Sequence, residues 1–193
     1  RVDFNGGNYT REGELEKTIE TYIAKWEVEY GKDTLETTTG DRFKGVLQRA
    51  YQKTGKRAVV LIDEYDKPIL DVLDTGTSTR NQEGERQLLE DHHREILKSF
   101  YSTFKGADEY LQFVLLTGVT KFSQVSVFSG FNQPKDISMD ERYESLCGIT
   151  QEELEKYFEE SILRLATKYE CAVEEMKDWL KRQYDGYHFS TNM

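Results

Sequence analysis

Apolar and polar residues follow two different patterns along the first two thirds of the chain. Runs rich in apolar residues occur at residues 58–62 and 110–117, and their composition is typical of strands buried on both faces of a parallel sheet. A shorter strand is predicted at residues 2–4. Strands joined by helices predict an α/β fold with right-handed parallel crossovers. The helices, recognised by apolar residues at every third or fourth position, are expected at residues 11–30, 41–54, 69–73 and 88–106.

Capping and turn residues mark the expected ends of these elements. Thr10 precedes the first helix and Asp41 the second, and each has a side chain that can accept a bond from a free backbone N–H. Gly55 follows the second helix, where a glycine commonly ends a helix. The polar segments 31–40 and 74–84 are predicted loops.

The pattern becomes less regular after the strand at residues 110–117. Short strands are predicted at residues 125–128 and 136–139, joined by a turn that contains glycine and asparagine. Thr150 and Glu153 have the spacing of a capping box, which predicts the start of a helix. A last helix is expected to end near residue 184.

The chain has 193 residues, a length that suits one large domain or one domain with part of another. Its α/β pattern ends at Gly148, and only helices are predicted after this residue. We therefore expect an α/β core at residues 1–148 and a small helical segment at residues 149–193.

Composition excludes several classes of function. The net charge is −10 and the isoelectric point is about 4.9, so the segment lacks an overall basic footprint and we expect no direct nucleic-acid binding by it, with a local basic patch left open. Cys147 and Cys171 are too few for a disulfide framework or a four-cysteine zinc site, which indicates reduced thiols in a cytoplasmic protein. No apolar run reaches the roughly 18 residues that suggest a membrane span.

Two acidic residues follow the apolar run at residues 58–62. Asp63 and Glu64 end a predicted parallel strand, at the edge of the sheet where open α/β folds bind ligands. In nucleotide hydrolases such a pair is the Walker B layout, in which the first carboxylate holds Mg²⁺ through its water shell and the second orients or deprotonates the attacking water. Taken alone, the pattern fits equally well two solvated acids that leave a core strand.

Several motifs together give a more specific indication. They are VLIDEYDKP at 60–68, LTGVTKF at 116–122, FSGFN at 128–132, LCGIT at 146–150 and YDGYHFS at 184–190. In this order along the chain they resemble the motifs of the bacterial and archaeal AAA-ATPase-like proteins, a branch of the P-loop ATPases. The resemblance spans nearly the whole chain and implies a parallel-sheet core of the P-loop NTPase type.

The resemblance implies roles for individual residues. Asp63 matches the Walker B aspartate that holds Mg²⁺ through water, and Glu64 matches the candidate general base. Thr117 falls at the sensor 1 position, where related ATPases place a polar residue that senses the γ-phosphate, although a threonine also commonly ends a strand by bonding its own backbone. Lys121 either approaches a phosphate or stays solvated in a loop.

The phosphate-binding half of such a site is missing from the sequence. ATP binding requires G-x-x-x-x-G-K-[ST], whose backbone N–H groups and lysine hold the β- and γ-phosphates. The Gly-Lys pairs at 31–32 and 55–56 are followed by Asp33 and Arg57, so neither continues into the hydroxyl residue that contacts Mg²⁺. Members of the family place this loop upstream of the strand at residues 2–4. We therefore expect a fragment whose core lacks the first strand and the phosphate loop.

In P-loop ATPases of this branch that strand lies in the middle of the sheet, next to the sensor strand, so without it we expect an open slot at the strands of residues 58–62 and 110–117. ATP and Mg²⁺ are expected cofactors of the complete protein, and neither is expected to bind tightly to this chain by itself. The expected function is to supply the Walker B and sensor elements of an ATP-hydrolysing domain. The alternative is a non-catalytic interaction or switch module with a degenerate nucleotide site, whose helical tail docks a partner or a second copy.

The resemblance also implies partners within the same protein. They are an upstream segment with the Walker A loop and a downstream domain similar to nucleases of the PD-(D/E)XK fold; a homo-oligomer is left open. The only Glu-x-Lys triplet, at residues 175–177, lies in a helical pattern, so we assign no nuclease site to these residues.

The histidines, together with Asp66 and Lys67, are expected to have structural roles. His92 and His93 are adjacent on a predicted helix and point about 100° apart, which argues against a shared metal ion. His188 is expected to pack with the aromatic residues around it. Asp66 and Lys67 are expected to form a local ion pair that anchors the turn.

Overall fold

The computed structural model describes residues 1–81, 83–119, 127 and 134–184. Two compact units are present, Arg1–Pro134 and Lys135–Met193, so the division falls earlier in the chain than the boundary expected at Gly148. Within the described ranges, no helix combines the length and the apolar character needed to cross a membrane.

The first unit alternates strands with helices, which confirms the α/β class predicted from the sequence. Its strands and helices follow one another in the order that the apolar pattern indicates, with one additional hairpin. The elements are β1 (Val2–Asp3), α1 (Glu14–Tyr30), α2 (Thr39–Thr54), β2 (Ala58–Asp63), α3 (Lys67–Leu70), β3 (Ser78–Arg80), β4 (Arg86–Leu88), α4 (Leu89–Gly106) and β5 (Leu111–Leu116).

Strands β1, β2 and β5 form a three-stranded parallel sheet with β2 in the middle. Val2 of β1 pairs with Ile62 of β2, and Val60 of β2 pairs with Val114 of β5. Because β2 and β5 pair directly, no vacant strand position lies between them. Among the described strands, none pairs with the other edge of β5, so a further strand has room to add there.

Helices cover one face of this sheet. Val60 and Ile62 point into the core and are buried, whereas on the opposite face Val59 is 55% exposed, Leu61 39% and Phe113 53%. The prediction that these strands are buried on both faces was therefore wrong for the described part of the chain. Apolar composition indicated burial correctly for one face only, because no described element covers the other.

The core between the helices and the sheet is rich in aromatic residues. The Phe43 ring of α2 lies 5.5 Å from Trp26 of α1, and 5.1 and 5.6 Å from Phe100 and Phe104 of α4, measured between ring centroids. Aromatic pairs at such distances add to the stabilisation from burial. The Phe43 cluster joins α1, α2 and α4 into the layer that covers the sheet.

Two helices begin at residues other than those predicted. α1 starts after Gly13, which has a left-handed backbone with φ of 79°, while Thr10 donates its hydroxyl to Asn8 in the preceding turn. α2 starts after Thr38, whose hydroxyl accepts the N–H of Asp41. The predicted caps were wrong because several residues of capping type precede each helix, and residue type does not choose among them.

Residues 74–84, predicted as a loop, contain part of a β-hairpin. Strands β3 and β4 are antiparallel, with Thr79 opposite Gln87. Thr79 is buried, and its hydroxyl donates to the carboxylate of Glu12, which fixes the hairpin to the segment that leads into α1. The strands were missed because each has only 3 residues, too few for an alternating pattern to show.

The second unit contains two helices, α5 (Gln151–Lys168) and α6 (Val173–Tyr184). The predicted capping box is present, because the Thr150 hydroxyl accepts the N–H of Glu153 and the Glu153 carboxylate accepts the N–H of Thr150. The residues buried between the two helices are Ile162, Ala166 and Met176.

Three predictions for the later part of the chain have different outcomes. No strand forms at residues 136–139, where the Ser138 N–H donates to the Asp136 side chain in a turn. The triplet at residues 175–177 lies within α6, as predicted. The strand predicted at residues 125–128 lies, apart from residue 127, outside the described residues.

Candidate functional site

The carboxyl ends of β2 and β5 lie side by side. Thr117, the first residue after β5, donates its backbone N–H to Ile62 of β2 at 2.9 Å, and Tyr65 donates its N–H to the Thr117 carbonyl at 3.0 Å. Because the strands are parallel, these bonds bring the segments after both strands to the same edge of the sheet. Asp63, Glu64 and Thr117 are therefore neighbours at this edge.

Asp63 uses both oxygens of its carboxylate. Its Oδ1 accepts the Thr117 hydroxyl at 2.5 Å, and its Oδ2 accepts from Arg1 Nη2 at 2.5 Å. The Thr117 hydroxyl lowers the pKa of Asp63 most, burial opposes this, and the Arg1 guanidinium lowers the pKa further. Since 40% of the side chain stays exposed, Asp63 offers a charged carboxylate that a hydrated cation can reach.

Glu64 turns the chain away from the sheet. Its φ is 52°, in the left-handed region, where a residue other than glycine is strained by about 1 kcal/mol or more. The Glu64 carbonyl accepts the N–H of Lys67 at 3.1 Å, which closes the turn before α3. Strain of this kind is frequent at functional sites. The left-handed conformation turns the chain directly after β2 and so leaves Glu64 at the sheet edge next to Asp63.

Asp66 and Lys67 are anchored by contacts other than the predicted local pair. Lys67 Nζ lies 2.8 Å from the Asp71 carboxylate one helical turn later, and this contact raises the pKa of Lys67. Asp66 is only 1% exposed, and its Oδ2 accepts the backbone N–H of Val119 at 3.1 Å. Sequence reasoning missed this second contact, which joins the segments after β2 and β5.

Gly118 lies where these two segments approach each other most closely. A Cβ at this position would lie 2.5 Å from Asp66 Oδ1 and 2.6 Å from Tyr65 Cε1. Both side chains are buried, so neither can withdraw without disturbing its packing. The close approach therefore requires a residue without a Cβ.

We expect Gly118→Ala to displace the segment after β5 and to lower the free energy of unfolding by about 1–3 kcal/mol, the usual range for overpacking. Gly6→Ala is the matched control, because a Cβ there meets nothing within 4 Å, and its effect should stay within about 0.5 kcal/mol. Urea denaturation of both variants is the measurement. Equal stability of the two variants would contradict the close approach at Gly118.

Some predicted positions cannot be placed. Lys121 lies outside the described residues, as do the motif segments at 128–132 and 185–190, which include His188. Their roles stay predictions from the sequence.

The adjacent histidines have separate structural partners. His92 Nε2 lies 2.9 Å from a Glu16 carboxylate oxygen. His93 is fully buried, its Nδ1 lies 2.7 Å from the Pro68 carbonyl oxygen, and burial lowers its pKa, so the ring is neutral at pH 7. Within the described ranges, no group of three His, Cys, Asp or Glu side chains is placed to hold a metal ion.

A groove of about 570 Å³ lies among α1, α2, α4 and the hairpin. Its carboxylates would repel the phosphates of a nucleotide, and neither Asp63 nor Thr117 lines it. The strand ends therefore remain the candidate site. The acidic residues of the groove are Glu16, Glu20, Glu83 and Glu95.

Comparison with known proteins adds family information. A sequence model of a family described as predicted AAA-ATPases matches residues 1–128. A protein of Azotobacter chroococcum mcd 1, described as an uncharacterized protein in the vnfD 5′ region, is 35% identical over 190 residues, which are 98% of this chain and 33% of that protein. The chain thus spans about a third of the length of this curated relative. No solved structure matches.

Proposed function

The chain belongs to the family of predicted AAA-ATPases, and on this premise we propose that it supplies the Walker B and sensor elements of a domain that binds and hydrolyses ATP. One observation supports the proposal above all others: the Thr117 hydroxyl bonds Asp63 at 2.5 Å across the ends of β2 and β5. This proximity supports the proposal because the Walker B carboxylate of such ATPases helps to hold Mg²⁺ at the phosphates, and the family resemblance implies a sensor residue at Thr117.

Each residue has a role in this proposal. Asp63, kept ionised by its lowered pKa, would hold Mg²⁺ through water, and a bound ion would supply charge neutralisation at the phosphates. The Thr117 hydroxyl orients the Asp63 carboxylate and, as a sensor residue, would donate instead to an oxygen of the γ-phosphate. Glu64 accepts a proton from the attacking water. Lys121 is proposed as a phosphate contact on its motif position alone.

We propose that the phosphate-binding loop comes from an upstream segment of the same protein. Two features of the sheet support this: the edge of β5 that no described strand occupies, and the exposed apolar face formed by Val59, Leu61 and Phe113. A strand added at that edge and followed by a helix over that face would complete a parallel sheet covered on both sides. The result would be a P-loop NTPase-like core.

The rest of the protein is proposed from the family resemblance. A downstream nuclease-like domain would receive the effect of the ATP cycle, in a cytoplasmic protein that is either a monomer or a homo-oligomer. Nucleic acid would then contact that domain, because this chain carries a net charge of −10.

The proposal is tested with Asp63→Asn in the full natural polypeptide that contains this chain. We expect Mg²⁺-dependent ATP hydrolysis to fall by on the order of 10²-fold, because the neutral amide no longer attracts the hydrated ion. Asp108→Asn, which changes an exposed carboxylate at the opposite end of β5, should retain full turnover. Absence of Mg²⁺-dependent ATP hydrolysis by the unsubstituted protein would contradict the proposal.

A non-catalytic switch or interaction module is the second candidate. The observation in its favour is the exposed apolar sheet face, on which Val59 and Phe113 are each more than half exposed, since a surface of this kind can bind a partner. The same experiment separates the two functions. A module would bind nucleotide weakly or without turnover, and Asp63→Asn would leave its partner binding unchanged.

A further inference from the structure

A buried carboxylate connects the two segments that form the candidate site. Asp66 is 1% exposed, and its Oδ2 accepts the N–H of Val119 at 3.1 Å. Val119 lies two residues after Thr117, whose hydroxyl holds Asp63. The Walker B turn is thus bonded to the segment after β5 on both sides of Gly118.

Because Gly118 lies between Thr117 and Val119, the contact of Asp66 with Val119 helps to fix the backbone conformation of this segment. A glycine has the widest choice of backbone conformations, so a segment of Thr117, Gly118 and Val119 keeps one shape only if its ends are held. The Thr117 end is held by the sheet, through its N–H and carbonyl bonds to Ile62 and Tyr65. Asp66 holds the other end.

Asp66 itself is held in place by its backbone bonds to α3. Its backbone carbonyl accepts the N–H groups of Ile69 and Leu70, each at 3.0 Å, so it begins α3. The Pro68 carbonyl of α3 lies 2.7 Å from the buried His93 ring of α4. The Asp66 carboxylate is therefore fixed relative to α4 and does not simply follow the segment that it binds.

We propose that Asp66 is a positioning residue that holds residues 117–119 in place, so that the Thr117 hydroxyl stays on the Asp63 carboxylate. The effect of Asp66 on turnover rests on the proposed ATPase function. Its effect on the position of residues 117–119 rests on the contact with Val119 and does not depend on that function. Asp66 itself does not touch substrate. It acts through Thr117, and its loss should lower turnover without removing nucleotide binding.

The catalytic part is tested by Asp66→Ala in the full natural polypeptide. Loss of the hydrogen bond from the Val119 N–H to the charged Asp66 carboxylate should lower kcat by about tenfold, with KM for ATP changed by less than about twofold. Asp66→Asn keeps an oxygen that can accept the Val119 N–H, and should recover most of the turnover. Asp71→Ala, which removes the partner of Lys67 and not the acceptor of the Val119 N–H, should leave kcat unchanged.

A double substitution shows whether Asp66 acts through Thr117. If it does, Thr117→Val should lower kcat much less in the Asp66→Ala background than in the unsubstituted protein, because the orientation that it removes is already lost. Fully additive effects, or an Asp66→Asn variant as slow as Asp66→Ala, would overturn the inference.

Hydrogen exchange separates this inference from the proposed function. Asp66→Ala should speed exchange of the Val119 amide by about tenfold or more, with no such change in Asp71→Ala, whether or not the protein hydrolyses ATP. An unchanged Val119 exchange rate would overturn the positioning role. Faster exchange in a protein without ATPase activity would support the contact and reject only the proposed function.

Discussion

Glu64→Gln should slow ATP hydrolysis by the full natural polypeptide by roughly 10²- to 10⁴-fold, the range that general-base catalysis usually contributes. Glutamine has the same shape as glutamate but cannot take the proton of the attacking water. Nucleotide affinity should stay within about twofold, because Glu64 is proposed to contact the water and not the nucleotide. Single-turnover hydrolysis and nucleotide titration of the same preparation are the measurements.

The matched control for Glu64→Gln is Glu85→Gln. Glu85 is an exposed residue in the β3–β4 hairpin, away from the strand ends, and its substitution should leave turnover and affinity unchanged. Turnover by Glu64→Gln at the unsubstituted rate would remove Glu64 from the mechanism. A parallel loss of nucleotide affinity would assign it a structural role in the strained turn after β2.

The position of the candidate site could be predicted from the sequence because it depends on a general property of parallel sheets. Apolar runs indicated β2 and β5, and the polar residues that follow them had to meet at one edge. The hydrogen bond from Thr117 to Asp63 joins residues far apart in sequence, yet the strand assignment alone brought them together.

The contact of Asp66 with Val119 could not be predicted in the same way. It depends on how the turn after β2 closes, and that turn contains a left-handed Glu64 with φ of 52°. Residue type gives no reason to expect that conformation from a glutamate. A local pair between Asp66 and Lys67 was the simpler expectation, and the pairing of Lys67 with Asp71 shows why adjacency in sequence is a poor guide at a helix start.

The exposed sheet face shows a different limit of sequence reasoning. The exposed face carries apolar residues of the kinds found in buried strands: Val59, Leu61 and Phe113. Residue type shows that these side chains favour burial, but it does not show which element covers them. Such composition is typical of strands in a sheet covered on both sides, whereas these three side chains are exposed. The sequence thus predicted that both faces of the sheet would be covered, and the described residues cover one of them.

Arg42→Met should lower the free energy of unfolding of the first unit by about 3–5 kcal/mol, because it leaves a buried carboxylate without its partner. Arg42 binds Glu27 through two bonds, from Nε at 2.8 Å and from Nη2 at 2.9 Å. Glu27 is 8% exposed. Arg42 also donates to Glu20 at the rim of this pair.

The effect of Arg42→Met should depend on pH. The hydrogen bond from Arg42 lowers the pKa of Glu27 below its ordinary value of 4.5, so the stability from this pair is fully present above that value and is lost as the pH falls through the lower pKa of the folded state. The difference between the variant and the unsubstituted protein should therefore be largest near neutral pH and shrink below about pH 4.5, where a Glu27 without its partner is protonated.

The measurement is urea denaturation followed by Trp26 fluorescence in a Trp179→Phe background, which removes the tryptophan of the second unit. Arg57→Met changes an exposed arginine of the first unit and should alter stability by less than about 0.5 kcal/mol. The double substitution Glu27→Met with Arg42→Met removes both charges, and should recover much of the lost stability because methionines of similar volume can fill a buried ion-pair site. A double variant as unstable as the sum of the two single variants would contradict the argument that an unpaired buried Glu27 causes the loss.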